Sequence, residues 1–242
     1  MPFDPTRIRA VSLDLDDTLW PVWPTIARAE AALQAWLQPR APRAHALAAD
    51  AQLRLELRRR AAQALVGREH DLSALRQEAI RLLLAQAGED EGLAAPAFAE
   101  FLAHRQRVDL FDDALPALEF LSQRYPLVAL SNGNADITRV GLGRYFAAAV
   151  SAQAVGCGKP DARMFQRAAE VAAVPVEAVL HIGDDVQHDG VGALNAGMQV
   201  AWLNRAGKHW DHPDAQPHLT LTSLADLQRH LDPPGRAGAA LA

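Results

Sequence analysis

Three short apolar segments of this chain stop abruptly at polar side chains, and this pattern constrains the fold more than any other feature. Residues 11 to 13 lead into Asp14, residues 127 to 130 lead into Ser131, and residues 179 to 182 lead towards Asp184. In open parallel α/β sheets, ligands bind at the carboxyl ends of the strands. We therefore predict a parallel sheet with a ligand site at the ends of these strands.

The first segment ends in a dense acidic motif, Asp14-Leu15-Asp16-Asp17-Thr18. Ionised carboxylates this close together repel one another unless a cation or a shared proton relieves the repulsion. Mg2+ takes oxygen ligands and is typically held by one or two carboxylates plus substrate phosphate oxygens, so it is the expected cation. An aspartate here can also act as a nucleophile and form an aspartyl-phosphate. The alternative is that Asp16, Asp17 and Thr18 only cap the following helix.

A lysine and a second acidic segment complete the pattern. Lys159 lies between Gly158 and Pro160 just before a helical repeat, and residues 183 to 189 include Asp184, Asp185 and Asp189. One cation and one lysine must balance many carboxylates, so Asp189 is expected to anchor Lys159 rather than to bind the metal. The order and spacing of these segments argue against the interpretation that the first motif is only a helix cap.

The segments resemble the four motifs of the haloacid dehalogenase-like (HAD) hydrolases, most of which are Mg2+-dependent phosphatases. These motifs span nearly the whole chain, and they are Asp14-Leu15-Asp16-Asp17-Thr18, Ser131-Asn132-Gly133, Lys159-Pro160 and Gly183-Asp184-Asp185 through Asp189. A narrower similarity, to bacterial phosphatases acting on FMN and on 5-amino-6-(5-phospho-D-ribitylamino)uracil, is carried by residues 131 to 135, 141 to 146 and 181 to 198. The resemblance implies a phosphomonoester hydrolase with Mg2+ as cofactor, an aspartyl-phosphate intermediate and a small phosphorylated metabolite as substrate.

The resemblance also implies a catalytic role for three residues. Asp14 is the nucleophile, and Lys159 offsets charge on Asp14 and on the transferring phosphoryl group. Asp16 is the general acid that protonates the leaving group and later, as base, activates water. Asp16 lies two residues beyond Asp14, which on an extended segment puts both side chains on the same side.

The remaining roles concern phosphate and metal. Hydrogen bonds to phosphate are expected from Thr18, Ser131 and Asn132. The expected metal ligands are Asp14, Asp184 and, through its backbone carbonyl, Asp16.

Hydrophobic periodicity divides the chain into two kinds of structure. Residues 20 to 107 carry apolar side chains at helical spacing and are predicted to be all-helical, whereas strand-like and helix-like segments alternate from residue 109 onward. We therefore predict an α/β, Rossmann-like core of residues 1–19 and 108–232, an inserted all-helical cap domain of residues 20–107, and a loose tail at residues 233–242. HAD proteins carry a cap at this point, and its closing would exclude water and confer substrate choice.

Composition indicates the class of partner. The net charge of -5 argues against a broad basic surface for nucleic acid. No run approaches the ~20 apolar residues of a membrane span, and the first residues lack the apolar part of a signal peptide, so no membrane partner and a cytoplasmic location are expected. The single cysteine, Cys157, excludes an internal disulfide. The oligomeric state is left open.

Two rival functions remain open from the sequence. A haloacid dehalogenase shares the nucleophilic aspartate and the cap, but its chemistry releases halide and needs neither metal nor proton donor, so Asp16 argues against it. A non-catalytic protein with this fold is expected to have lost at least one of four residues, all of which are present: Asp14, Asp16, Lys159 and Asp184.

Three further residues have roles that the motifs do not define. Trp20 and Trp23 follow the acidic motif, so we hypothesise that at least one of them stacks on a planar ring of the substrate, with packing of the hinge as the alternative. His181 lies inside an apolar run and is expected to be a core histidine.

Overall fold

Six strands form one parallel sheet in the computed structural model, which describes residues 2 to 231. The strands are β1 (Ala10–Leu13), β2 (Leu127–Ser131), β3 (Ala148–Ser151), β4 (Val179–Gly183), β5 (Gln199–Leu203) and β6 (Leu219–Leu221). Strands β1, β2, β4 and β5 are buried along their whole length, which explains why they are mostly apolar in sequence. The predicted parallel α/β core is confirmed, while the tail predicted at residues 233–242 lies outside the described residues.

The strand order places the polar segments side by side. Across the sheet the order is β3-β2-β1-β4-β5-β6, so β1 lies between β2 and β4 and the chain changes direction there. Leu13 pairs with Ala129 of β2 and with Ile182 of β4, which brings the ends of the three strands to the same edge. This is the topological switch point at which ligands bind in open α/β sheets.

A helical insert follows β1. Its helices are α1 (Val22–Leu37), α2 (Pro42–Leu47), α3 (Ala51–Ala64), α4 (Leu72–Ala87) and α5 (Ala94–Arg105). They share a hydrophobic cluster that includes Leu33, Leu57 and Phe101 and is separate from the clusters around the sheet. The helices lie within the segment predicted to be all-helical, and the division into core and cap at residues 20 and 107 stays a prediction.

The remaining helices are α6 (Ala114–Ser122), α7 (Ala152–Val155), α8 (Ala162–Val171), α9 (Gly192–Ala196) and α10 (Leu227–Leu231). One hydrophobic cluster joins Leu13 of β1 to Leu118 of α6, and a second joins Val128 of β2 to Phe165 of α8. The two clusters are separate because neighbouring residues of a strand point to opposite faces of the sheet. Within residues 2 to 231, no helix has both the length and the apolar character needed to cross a membrane.

Candidate active site

A buried lysine joins two carboxylates at the centre of the sheet edge. Nζ of Lys159 donates to Oδ1 of Asp14 at 2.6 Å, to Oδ1 of Asp189 at 2.5 Å and to the carbonyl oxygen of Leu130 at 2.8 Å. Burial alone would lower the pKa of Lys159, but the carboxylates of Asp14 and Asp189 outweigh this effect and raise it. The lysine therefore stays charged. Asp189 is thus in direct contact with Lys159, as the anchoring prediction requires.

Asp14 itself is held at the end of β1 by the neighbouring strand. Its backbone amide donates to the carbonyl oxygen of Ile182 at 2.9 Å. Burial, reinforced by the negative charge of Asp189 and opposed by Lys159, raises the pKa of Asp14 well above its ordinary value. Only Oδ1 of Asp14 is bonded to Lys159, and Oδ2 makes no hydrogen bond to the described residues. The free oxygen is the one available to attack a substrate.

Asp189 is held from behind by a histidine. His181 is fully buried, with Nδ1 at 2.9 Å from Oγ of Ser12 and Nε2 at 3.2 Å from Oδ1 of Asp189. Burial lowers the pKa of His181, so we assign a neutral ring that donates from Nε2 to the carboxylate and accepts the Ser12 hydroxyl proton at Nδ1. His181 is a core histidine, but it also belongs to the network of the site.

The contact between Ser12 and His181 could have been predicted from the sequence. Ser12 and His181 are each the one polar side chain in an otherwise apolar strand, and the register pairs them across β1 and β4. Two such positions in adjacent buried strands predict a hydrogen bond, because an unpaired buried polar group is costly.

Asp16 is held by two side chains whose contacts with it were not predicted from the sequence. Nη2 of Arg105, at the end of α5, lies 2.7 and 2.6 Å from the two oxygens of Asp16. Nε1 of Trp20 donates to Oδ1 of Asp16 at 2.8 Å. Trp20 is fully buried and Trp23 is 75% exposed, so Trp20 is packed in the core and orients Asp16 rather than offering a free face to a ligand. Arg105 joins the helical insert to the catalytic loop.

The motif at residues 131 to 133 contacts Lys159 and lies next to Asp16. The side-chain amide of Asn132 accepts from the backbone nitrogen of Lys159 at 2.7 Å and donates to its carbonyl oxygen at 2.9 Å. Oγ of Ser131 accepts from the amide of Gly133 at 2.9 Å. A Cβ at Gly133 would lie 2.6 Å from Oδ2 of Asp16, so a larger residue there would displace the Asp16 carboxylate. Asn132 therefore fixes the position of Lys159 with its oxygen and one N–H, and the second N–H of its side-chain amide remains available for the predicted bond to phosphate.

Thr18 and Asp17 lie on the other side of the loop. Thr18 is fully buried, and its hydroxyl makes no hydrogen bond within the described part of the chain, so contact with phosphate requires a rearrangement of the loop. Asp17 has a left-handed backbone, with φ of 58°, and its Oδ1 accepts from the amide of Val22 at 2.9 Å. Asp17 thus satisfies the first backbone amide of α1, although Pro21 stands at the N-cap position, while Asp16 faces the site.

Three carboxylates at the sheet edge could hold a metal ion. Oxygen atoms of Asp14, Asp184 and Asp189 lie within 4.8 Å of one another. The pKa of Asp184 is raised to about 7, mainly by burial and in addition by the negative charges of Asp189 and Asp17. This surplus of negative charge is what a bound cation would relieve.

Only part of this cluster has free oxygens. Oδ1 of Asp189 is bonded to Lys159 and His181, and Oδ2 accepts from the amide of Asp185 at 3.1 Å. Asp14 and Asp184 therefore offer the available ligand atoms. The side chain of Asp16 is turned towards Arg105, so only its backbone carbonyl remains for the metal role predicted for it.

A cavity of about 360 Å³ extends from Asp16 and Gly133 into the helical insert. Its walls are mostly apolar and include Leu33, Leu57, Ile80 and Leu83. Charged side chains also line it: Glu30, Arg54, Arg58, Arg76 and Arg105. The cavity begins where Asp16 could reach a leaving group, and its walls come from the insert.

Comparison with known proteins agrees with this architecture. Residues 8 to 197 match the haloacid dehalogenase-like hydrolases. The chain is 34% identical over 229 residues to the 5-amino-6-(5-phospho-D-ribitylamino)uracil phosphatase YigB of Escherichia coli (strain K12), a match that covers 91% of this chain and 95% of that protein. It is 31% identical over 158 residues to the phosphoserine phosphatase of Thermus thermophilus, with 63% of each chain covered.

A solved structure has the same fold over nearly the whole chain. The 2-haloacid dehalogenase from Pseudomonas syringae pv. Tomato DC3000 matches with a TM-score of 0.87 and 38% identity, covering 93% of this chain and 98% of that one. The family match spans more than half of the residues, and the site has the predicted motifs at one sheet edge. The chain therefore belongs to the haloacid dehalogenase-like hydrolase family and is an enzyme of the hydrolase class.

Proposed function

We propose that this hydrolase is a Mg2+-dependent phosphatase that cleaves phosphomonoesters through an aspartyl-phosphate on Asp14. The observation that carries the proposal is the position of Asp16. Asp16 follows the nucleophile Asp14 by two residues, and it lines the cavity of the insert. A phosphoryl transfer to Asp14 needs a proton for the leaving oxygen, and a carboxyl group at this point can supply it.

In the first step, Oδ2 of Asp14 attacks phosphorus while the bond between phosphorus and the ester oxygen breaks. Asp16 gives a proton to the departing oxygen, so its contact with Arg105 has to yield to the leaving group. Lys159, held by Asp14 and Asp189, offsets the charge that builds up on the transferring group. Mg2+ bound by Asp14 and Asp184 would neutralise phosphoryl oxygens so that an anionic nucleophile can approach.

In the second step, a water molecule attacks the phosphorus of the aspartyl-phosphate. Asp16 now takes a proton from the water, and the bond between phosphorus and Asp14 breaks, which releases inorganic phosphate. Both steps use the same pair of carboxyl groups, and the acid of the first step is the base of the second.

For the substrate, we propose a ribityl phosphate attached to a pyrimidine or flavin ring, which would place the enzyme in riboflavin biosynthesis. The relative YigB is named for 5-amino-6-(5-phospho-D-ribitylamino)uracil. The cavity beside Asp16 supports this choice, because its apolar walls suit the faces of a planar ring and its charged groups suit polar ring atoms.

A second candidate is hydrolytic dehalogenation of a 2-haloacid, as the name of the Pseudomonas syringae neighbour suggests for that protein. In that reaction Asp14 would displace halide from carbon, and water would then hydrolyse the ester. The reaction has no use for a proton donor, so Asp16 and the acidic cluster with Asp184 favour the phosphatase.

The test is a product assay on the purified protein. Phosphate release is measured from FMN, 5-amino-6-(5-phospho-D-ribitylamino)uracil and a panel of other phosphomonoesters, with Mg2+ and with EDTA. Halide release is measured from 2-chloropropionate under the same conditions. We expect phosphate release that requires Mg2+ and no halide release. Halide release in metal-free buffer, without phosphate release, would overturn the proposal.

A further inference from the structure

The cavity of the insert contains a charged pair that the two chemical steps do not use. Glu30 of α1 and Arg76 of α4 form an ion pair through Oε1 and Nη1, and Nη2 of Arg58 lies 3.4 Å from the same oxygen. We call Glu30 and Arg76 the cavity pair. Their side chains are 27% and 22% exposed, so they are accessible from the cavity that they line.

Arg76 is fixed in place by an aromatic ring. The guanidinium carbon lies 3.9 Å from the centroid of the Phe101 ring, and Phe101 is buried in α5. A guanidinium that is stacked on one face and paired at one nitrogen loses little further freedom when it binds a ligand. Arg76 is therefore a prearranged hydrogen-bond donor.

Both members of the cavity pair keep unused polar atoms. Within residues 2 to 231, Oε2 of Glu30 and Nη2 of Arg76 make no hydrogen bond. The pair thus presents a free carboxylate acceptor next to a free guanidinium donor. Because both side chains are partly exposed, these two atoms are open to a ligand that enters the cavity.

The charge balance of the cavity indicates what kind of partner fits. Four arginines line the cavity against two carboxylates, and these residues are Arg54, Arg58, Arg76, Arg105, Asp16 and Glu30. The arginines are therefore not fully balanced by the carboxylates, which favours an occupant rich in hydrogen-bond acceptors. Glu30 would repel an anionic end, so carbonyl oxygens are better acceptors here than carboxylates or phosphates.

We propose that the cavity pair determines substrate specificity by binding the edge of a planar heterocycle in which a ring carbonyl stands next to a ring N–H. Arg76 donates to the carbonyl oxygen, and Glu30 accepts from the N–H. Cyclic imides such as the pyrimidinedione ring of a uracil or a flavin have this edge. The inference rests on the proposed function, because it assigns the cavity pair to the leaving group of the same reaction.

The cavity pair lies on the insert side of the contact between Asp16 and Arg105. Phe101, which supports Arg76, precedes Arg105 by one helical turn, about 6 Å along α5. Arg105 in turn contacts Asp16, so a ligand with its phosphate at the sheet edge and its ring at the cavity pair extends past Asp16 into the insert. A short polyol chain between phosphate and ring suits this arrangement.

The experiment compares three phosphomonoesters that differ in the proposed contact: FMN, N3-methyl-FMN, in which the ring N–H is replaced by a methyl group, and D-ribitol 5-phosphate, which lacks the ring. The variants are Glu30→Gln and Arg76→Met. Arg40→Met is the matched control, because Arg40 also lies over an aromatic ring, 4.5 Å from the centroid of Trp36, but is exposed and outside the cavity.

For the wild type, we expect kcat/KM for FMN to exceed that for N3-methyl-FMN by about 10- to 100-fold. Glu30→Gln and Arg76→Met should lower kcat/KM for FMN towards the value for N3-methyl-FMN and change hydrolysis of D-ribitol 5-phosphate far less. Arg40→Met should keep the wild-type preference. Hydrolysis of D-ribitol 5-phosphate by each variant shows that it is folded.

The outcomes separate the two proposals. If all three esters are hydrolysed and the ratio between FMN and N3-methyl-FMN is the same in wild type and cavity-pair variants, the assignment of the cavity pair is wrong and the phosphatase proposal stands. If the wild type releases phosphate from none of the three esters or from the wider panel, the proposed function itself fails.

Discussion

Lys159, Asp189 and His181 form a buried network of paired polar groups, whereas Glu30 and Arg76 are partly exposed and keep unpaired atoms. Lys159 and Asp189 are 4% and 2% exposed and contact each other directly. Glu30 and Arg76 are also paired, but each keeps a free polar atom towards the cavity. A fully paired network is fixed before any ligand arrives, while unpaired groups remain for a ligand to use. We infer that the sheet edge carries out the chemistry and that the insert chooses the leaving group.

The largest expected effect comes from removing the nucleophile. Asp14→Asn should lower kcat for every phosphomonoester by a factor on the order of 10^4 or more, because an amide is not a competent nucleophile. The affinity for riboflavin, measured by quenching of riboflavin fluorescence, should be nearly the same in Asp14→Asn and wild type if the catalytic residues do not take part in binding the ring. Beryllium fluoride should bind the wild type and mimic its aspartyl-phosphate. Equally tight binding by Asp14→Asn would contradict the role of Asp14.

Asp184 offers a test in which activity and stability change in opposite directions. Asp184→Asn should raise the Mg2+ concentration needed for half-maximal activity by about 10- to 100-fold on all substrates, because a charged ligand is lost.

The same substitution should stabilise the metal-free protein at alkaline pH. In the folded protein the pKa of Asp184 is raised from 3.8 to about 7, so the folded state binds this proton more tightly than the unfolded state. The resulting stabilisation is fully present below about pH 4 and is lost as the pH rises through 7. Asparagine avoids this loss, and the melting temperature in EDTA should exceed that of the wild type by several degrees at pH 8. The difference should narrow towards pH 5. A variant that is less stable at pH 8 would show that Asp184 is not under electrostatic strain.

His181 tests whether the buried network matters for catalysis beyond packing. His181→Leu should lower kcat by about 10- to 100-fold with little change in KM, because Asp189 loses the donor that holds it and so positions Lys159 less firmly. His181→Gln keeps a donor and an acceptor and should recover much of the loss. The loss should be equal for FMN and D-ribitol 5-phosphate. Unchanged kcat in a folded His181→Leu protein, or a loss confined to FMN, would break the proposed separation of the two regions.

The smallest effects are expected at the two tryptophans that follow the acidic motif. Trp20→Phe removes the hydrogen bond to Asp16 and should lower kcat about fivefold on all substrates. Trp23→Ala, at a side chain that is 75% exposed, should change kcat/KM by less than about twofold. Steady-state kinetics on FMN and D-ribitol 5-phosphate measure both. A loss with Trp20→Phe that is specific for FMN would restore the hypothesis that this tryptophan contacts the ring.

Much of the sheet edge could be predicted from the sequence, because its residues follow the ends of buried strands. Asp14, Lys159 and Asp184 lie far apart in the chain, yet the parallel sheet and the loop before α8 bring them to one edge. Burial on both faces makes such strands apolar, so a carboxylate after them is conspicuous. The individual contacts were harder to predict. The two hydrogen bonds by which Asn132 spans the backbone of Lys159 had no signal in the sequence, and its contact with phosphate stays a prediction.

The insert shows what only tertiary structure decides. Leu55 and Leu57 both fit a helical pattern in α3, but Leu57 is buried and Leu55 is 43% exposed. Asp16 meets Arg105 across 89 positions, and Glu30 meets Arg76 across 46, with no local signal for either contact.

The physical reason lies in the two kinds of element. A strand has two faces and a defined end, so the order of apolar and polar residues by itself determined that Asp14 and Asp184 stand at the sheet edge. A helix can rotate about its axis and tilt against its neighbours, and many rotations bury a similar apolar area. Which arginine meets which carboxylate in the cavity was therefore decided only when the helices of the insert packed together.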